Sequence, residues 1–540
     1  MMLVLMLLAQ PLNLNVQPIE VRQNGVRVPT RQRQYVVDCR AGMTCTVDGG
    51  ILFMSSGDGG AVVTASNSNI TLYVDQDQGT DANDCLDAGI YACATITRAI
   101  DQLPYLVRHT TIVNVAAGAD GGVRDYSGFN LPNNMARRLD GGTAGITISG
   151  TLGRVDLDAG VNFALITQRD AGGIQTDGGT FPDGFAFTSV TVDGGDWVDG
   201  GLRGYFVRLT RYDGGTLLTM PIWDNTVDTI FPAENRPSAT LALAGYAEIL
   251  EPKTRITTAG ANNSLLIVSG LTSGGVNVTM RNFDLVPPST ANLIIGPGVS
   301  MLWTNVRMYY GNVLDSLSLP QDGTLTINSC VMISAGSRYF ITGSGRGSSF
   351  SVLGSLILGG SSTIFSRMNE GQYDLQSNTF YGLLSPLVSN GVGTCPTRGE
   401  YDRNRFINMG YGIYGEADQC PSSINIGSNV YDNITNDAIY LSGNVSTTTN
   451  VGSALFVHSD SRNVGGYGVR AQLGARGHFV RSATYGNSPT GTLGDIGLGG
   501  IAGVAAATTY SSDFLLTFPV GAKAITEWVY GSQIRIVGTP

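Results

Sequence analysis

The stretch "YDRNRFINMGYGIYGEADQC" (401–420) is followed, 25 residues on, by "IGSNVYDNITNDAIYLSGNV" (426–445). Each carries an asparagine (Asn404, Asn429), a large apolar residue, a second asparagine (Asn408, Asn433) and then "GIY" or "AIY". Followed outward as an Asn or small residue before an apolar position, the marker falls at Asn282, Asn305, Asn328, Gly354, Asn378, Asn404, Asn429, Ser453 and Gly477. The spacings are 23, 23, 26, 24, 26, 25, 24 and 24. A period loose in sequence and strict in distance is the mark of a solenoid. Each period holds two or three strand-like runs and no helical one, which predicts one lap of a parallel β-helix. Stacked laps lie at the inter-strand spacing of about 4.8 Å. An asparagine repeated at one corner can then bond its own copy above and below, so its polar group survives burial.

Composition agrees with an all-β chain. Of 540 residues 73 are Gly, and charged residues make up 14%, against roughly 25% in ordinary soluble proteins. The 42% apolar content excludes disorder for most of the chain. The net charge is −10 and no Lys/Arg-rich run occurs, which speaks against nucleic-acid binding. There are seven Cys and three His, with no CxxC pair, so neither a metal site nor a cofactor is expected. Cys39/Cys45, Cys85/Cys93 and Cys395/Cys420 are candidate bridges or buried thiols, and Cys330 is left over.

Along the chain, residues 1–70 read as a small β-rich head. In "PIEVRQNGVRVPT" the alternation of Ile19, Val21, Val26 and Val28 around Asn24-Gly25 predicts a two-residue hairpin. The apolar start, "MMLVLMLLAQPLNLNVQ", lacks a preceding basic residue and a good cleavage site, so a retained arm is expected over a cleaved leader. It is too short to span a bilayer. Residues 71–195 open with a strand, a polar loop and an amphipathic helix placing Ala94, Ile96, Ala99, Ile100 and Leu103 near one face, with Pro104 at its end. Eight Asp-Gly-Gly triplets lie between Asp48 and Gly215. They lack the spacing of calcium-binding β-helix repeats and read as turns. Residues 196–235 read as a small inserted β-barrel, 236–485 as the β-helix, and 486–540, where the period is lost, as a C-terminal cap.

The segment "YVDQDQGTDANDCLDAGIYACATITRAIDQLP" with "TIVNVAAG" resembles the opening of right-handed parallel β-helix proteins of the pectate-lyase-like superfamily, and "NRFINMGYGIYGEA" and "SNVYDNITNDAIYLSG" resemble their laps. Head, capping helix and long β-helix together resemble bacteriophage tailspike and tail-fibre proteins. The resemblance covers about residues 70–490. It implies a homotrimer, a virion location in the tail, attachment to other tail or baseplate proteins through residues 1–70, and a lateral surface for host cell-surface polysaccharide. Some relatives cleave that polysaccharide as depolymerases and some only bind it. The calcium-carboxylate and arginine motif of pectate lyases has no match here. A secreted or cell-surface polysaccharide lyase or glycoside hydrolase is one alternative, and a non-catalytic structural virion protein or surface adhesin another.

The repeat places a candidate site. Asp374, Glu400 and Asn425 precede their markers by four residues; Gln376, Asp402 and Gly427 precede them by two. Leu375, Tyr401 and Ile426 lie between and should face the core, which turns the polar residues outward. Asp374 and Glu400 then sit on adjacent laps about 5 Å apart, with Asp402 one step along. Carboxyls at about 5 Å suit a retaining glycosidase, and at roughly 6.5–9.5 Å an inverting one. The opposite reading is a solvated acidic patch offset by Arg403 or Arg405, or a contact patch between copies in a trimer. Glu416 and Asp418 are further candidates to complete the cluster. "MLWTNVRMYY" offers Trp303, Tyr309 and Tyr310 as sugar-stacking platforms, against the commoner use of aromatics on β-helices as core or interface residues.

Overall fold

The computed structural model describes residues 68–443 except 104–105, 108, 132–135, 138–144, 159, 171–187, 235–241, 259–263, 269–276, 287–291, 296–298, 311–316, 320–321, 335–339, 344–346, 369–370, 391–396 and 418–422. Outside that range it describes strand segments at 22–23, 26–27, 38–39, 43–48, 51–56, 63–66, 454–462, 469–472, 478–479, 485–486, 515–516 and 535–536. The apolar N-terminal arm and most of the expected C-terminal cap lie outside the described residues. In the head, Gln23 pairs with Val26 and Arg22 with Arg27 in antiparallel register, as the expected hairpin requires; Asn24 and Gly25 themselves lie outside the described residues.

The chain is a parallel β-helix with an inserted barrel. Each lap has a first arm, a sharp corner, a short second arm and a third arm in a separate sheet. One lap runs Gly371–Gln376, Thr379–Tyr381 and Ser385–Asn390; the next runs Thr397–Asp402, Arg405–Ile407 and Ile413–Ala417. All three arms pair in parallel with their successors. Alternation along the first arm sends every second side chain inward. Met280, Trp303, Ile327, Val352, Leu375 and Tyr401 follow one another in register and are all fully buried. Each such side chain contributes about 1.5–3 kcal/mol by leaving water.

The corners correct one expectation. The period holds, but the marker residues do not fall in a single column. Asn282, Asn305, Ser329, Gly354, Ser377 and Arg403 occupy the corner itself, with φ between 50° and 63°. Asn and Gly tolerate this left-handed backbone best. The next residue inward forms a second column. There Cys330, Ser355, Asn378, Asn404 and Asn429 each accept, on a side-chain atom, the backbone N–H one lap below. Asn328 belongs to neither column, lying one place before the corner.

Near the start, the helix Ile96–Asp101 packs Ile96, Ala99 and Ile100 against strands Ile70–Val74 and Thr111–Val115. Thr95 caps it by accepting from Arg98 N at 3.1 Å. It is shorter than the run from Ala94 to Leu103 expected to be helical: Gly89–Tyr91 is a separate 3-10 turn and Cys93 is held by a disulfide to Cys85.

The inserted barrel is larger than 196–235. Strands Phe163–Asp170, Ser189–Val192, Phe206–Thr210, Thr216–Asn225, Thr229–Pro232 and Tyr246–Pro252 close on one another. Closure needs the first and last of these, because Tyr246–Pro252 pairs with both Phe163–Asp170 and Phe206–Thr210. Val190, Val207, Leu209, Met220, Ile222 and Ile249 lie within the barrel's own buried core. The insertion enters after Ile146–Ser149, a first arm, and leaves before Thr254–Thr258, a second arm. It therefore replaces one corner of one lap.

Candidate functional site

The first-arm strands Gly371–Gln376 and Thr397–Asp402 pair with Asp374 opposite Glu400 and Gln376 opposite Asp402. Tyr373, Leu375 and Tyr401 point inward and are buried, so the three carboxylates project outward. Gly399 is required beneath this row, since a Cβ there would run into the Tyr373 ring. Asp374 is half-buried and Glu400 exposed. Gln376 Nε2 donates to Asp374 Oδ2 at 3.0 Å, while Asp374 Oδ1 is buried without a hydrogen-bond partner. Burial pushes the Asp374 carboxyl above the usual carboxylate range; the Gln376 bond works against this, and the charges of Glu400 and Asp402 add to it. Arg403 Nη1 lies 3.4 Å from Asp402 Oδ2.

Register sets the composition of this face. Thr279, Leu302, Thr326 and Ser351 precede Asp374 in its column, and Glu400 is followed by Asn425. A face bearing mainly small hydroxyls thus ends in stacked acids. Such a row can exchange hydrogen bonds with a polyhydroxylated chain.

Other expected residues fall elsewhere. Trp303 and Tyr310 are fully buried and pack on Phe340 with ring centroids 5.9 and 5.4 Å apart, so neither can stack on a sugar. Tyr309 is half-buried. Glu416 lies in a third-arm strand paired with the strand carrying Asn390, on a different sheet from Asp374; Asp418 lies outside the described residues. Among the described residues there is no group of three or more side chains suited to hold a metal ion, and no helix is long and apolar enough to cross a membrane.

Arg405 does not offset the acids. It belongs to a second arm and is fully buried beneath the barrel. Its Nη2 donates to Pro232 O at 2.6 Å and Ala233 O at 3.2 Å, and its Nε to Thr379 Oγ1 at 3.1 Å. Its guanidinium lies 5.3 Å from the Trp223 ring. Burial pushes its pKa down, with Asp224 opposing. Two further cation–π contacts cross the same seam: Arg203 over Tyr381 at 4.7 Å and Arg307 over Tyr205 at 5.9 Å. Phe206, Trp223 and Leu250 of the barrel meet Val331, Leu356 and Ile407 of the β-helix. Nothing local in the sequence marks this seam, because its partners lie far apart in the chain, Arg405 being 172 positions from Ala233.

No protein-family model matches the chain, and no curated protein matches it. Among solved structures it is similar to the Gp54 tailspike of Acinetobacter baumannii bacteriophage AP22, in complex with A. baumannii capsular saccharide. The identity is 10%, over 67% of this chain and 74% of that one, with a TM-score of 0.22. The fold itself, a parallel β-helix carrying an inserted closed barrel, rests on the strand register described above.

Proposed function

We propose that the chain is the β-helical rod of a phage tailspike or tail fibre, a homotrimer that attaches to host-surface polysaccharide and cuts it at the Asp374–Glu400–Asp402 row. Residues 1–70 would join it to other tail proteins. The observation that carries the reading is the direct opposition of Asp374 and Glu400 on adjacent laps of an outward, largely hydroxyl-bearing face. Like charges opposed across a sheet cost stability, and in a chain with 14% charged residues that cost argues for a use. In this reading Asp374, held toward its protonated form, donates to the leaving oxygen. Exposed Glu400 acts as nucleophile or base, and Asp402 stabilises the developing positive charge.

The test is release of reducing ends from capsular or lipopolysaccharide glycan of the host. Glu400→Gln, folded as the parent by circular dichroism, should lose the activity by at least about a hundredfold. Absence of any product from the parent protein excludes cleavage. Detection of the chain by mass spectrometry in purified virions tests the tail location. A second reading, binding without cleavage, draws on Gln376 hydrogen-bonding Asp374 and Arg403 offsetting the charge of Asp402, which leave two of the three carboxylates already partnered. It predicts glycan retention without product.

A further inference from the structure

The barrel carries an aromatic patch that neither the seam nor the acidic row uses. Phe163 and Tyr246 stack with ring centroids 5.1 Å apart, and Tyr212 meets Tyr246 edge-on at 5.8 Å. Phe163 is 42% exposed and Tyr212 64%. Beside them, Glu248 accepts from Arg154 Nε at 2.6 Å and from Arg208 Nη1 at 3.3 Å. The Arg154 guanidinium also lies 5.1 Å from the Phe163 ring centroid. These residues sit on paired strands: Phe163 and Arg208 both face Glu248 across the sheet.

Rings left in water on paired strands add little to the barrel core and are characteristic of recognition surfaces. An exposed aromatic ring presents a flat apolar surface to the C–H face of a pyranose, and guanidiniums fixed by a shared carboxylate offer N–H groups in set directions to hydroxyls or carboxylates. Two guanidiniums against one carboxylate leave the triad positive on a chain of net charge −10. That sign selects an anionic ligand. We infer that this patch is a second glycan-binding site, specific for acidic polysaccharide and separate from the Asp374–Glu400 row. It rests on the reading of the chain as a glycan-binding protein but uses none of the same residues.

The test is affinity electrophoresis of the full chain in gels containing polygalacturonate, alginate or neutral dextran. Retention by at least one acidic polymer and not by dextran is expected, weakening as salt rises. Tyr212→Ala should reduce it about tenfold, as loss of one stacked ring worth about 1.4 kcal/mol, and Arg154→Gln should shift it in the same direction. Ile90→Ser, on the exposed 3-10 turn Gly89–Tyr91, should leave it unchanged. Three results would overturn the inference: no retention by either acidic polymer, equal retention by dextran, or a fall in oligomer size by sedimentation on Tyr212→Ala, which would make the patch a contact between copies. If Glu400→Gln leaves cleavage intact while Tyr212→Ala abolishes retention, the acidic-row reading fails and this one stands. The reverse pattern separates them the other way.

Discussion

Asn404 donates from Nδ2 to Oδ1 of Asn429 at 3.0 Å, and in the same geometry Asn378 donates to Asn404, also at 3.0 Å. Each asparagine further donates to a backbone carbonyl, Val352, Leu375 or Tyr401, so three fully buried amides are bonded on both sides. A break in the middle strands the Asn378 side of the column, while Asn429 still accepts from Asn404 N and donates to Tyr401 O. Asn404→Leu is expected to cost about 2–4 kcal/mol, because Asn378 Nδ2 and the Asn378 backbone N–H lose their acceptor inside the core. Asn404→Ser, which keeps an acceptor as Ser355 does, should cost less. Chemical denaturation of the two variants checks the order, and equal costs would remove the column's importance.

Cys330 stands in the same column. Its Sγ accepts from Val306 N at 3.4 Å and donates to Asn328 O at 3.2 Å, and burial pushes its thiol pKa to about 12. The thiolate, which is the reactive form, is therefore absent at pH 8. Peptide mapping after iodoacetamide treatment should find Cys330 unlabelled in the native chain and labelled in guanidinium. Cys330→Ser should cost about 1 kcal/mol or less, and Cys330→Val about 1–3 kcal/mol through the orphaned Val306 N–H.

At the seam, removal of Arg405 should loosen the barrel from the β-helix. Arg405→Ala leaves the Pro232 carbonyl without its 2.6 Å donor and opens a void against Trp223, a loss of about 2–4 kcal/mol. The expected signs are earlier proteolysis between the two bodies and a red shift of tryptophan emission that disappears in a Trp223→Phe background. Arg405→Lys should rescue only in part, because an ammonium cannot reproduce the planar fork that reaches Pro232, Ala233 and Thr379 together.

The acidic row carries a pH signature. A carboxyl whose folded pKa lies above its unfolded value, about 3.9 for Asp, binds more protons folded than unfolded between the two values. Stability from Asp374 is therefore present below that window and lost as pH rises through it. Asp374→Asn should accordingly match the parent in thermal midpoint at pH 3 and exceed it by about one degree at pH 7, while losing any glycan cleavage. A midpoint difference constant across pH would show that Asp374 is not perturbed.

Much of this was legible in the repeat. The distance from Asn378 to Asn404 to Asn429 fixed which first-arm residues would oppose each other, and the opposition of Asp374 and Glu400 followed from counting back four. The same count from Asn305 puts Leu302 inward and Trp303 outward, the reverse of what is found, because Asn305 sits at the corner, one residue earlier in its lap than Asn404 does. Two columns were read as one because an amide serves both needs, a left-handed corner at Asn282 and Asn305 and a ladder at Asn378 and Asn404. Position alone, one residue apart, separates them. The burial of Arg405 and the true extent of the barrel were not legible, since both depend on strands that meet only after the chain has returned from Phe163 to Tyr246.

The two ends of the insertion are joined to each other: Lys253 N donates to Thr151 O at 2.7 Å, and Thr151 N to Thr254 Oγ1 at 3.0 Å. A module whose entrance and exit touch can be exchanged for another of any length without shifting the laps on either side. The strip of Val331, Leu356 and Ile407 then acts as a keel that any replacement must cover. The identity of the inserted barrel and the architecture of the β-helix are thereby separable in this molecule, and one can be redrafted while the other stands.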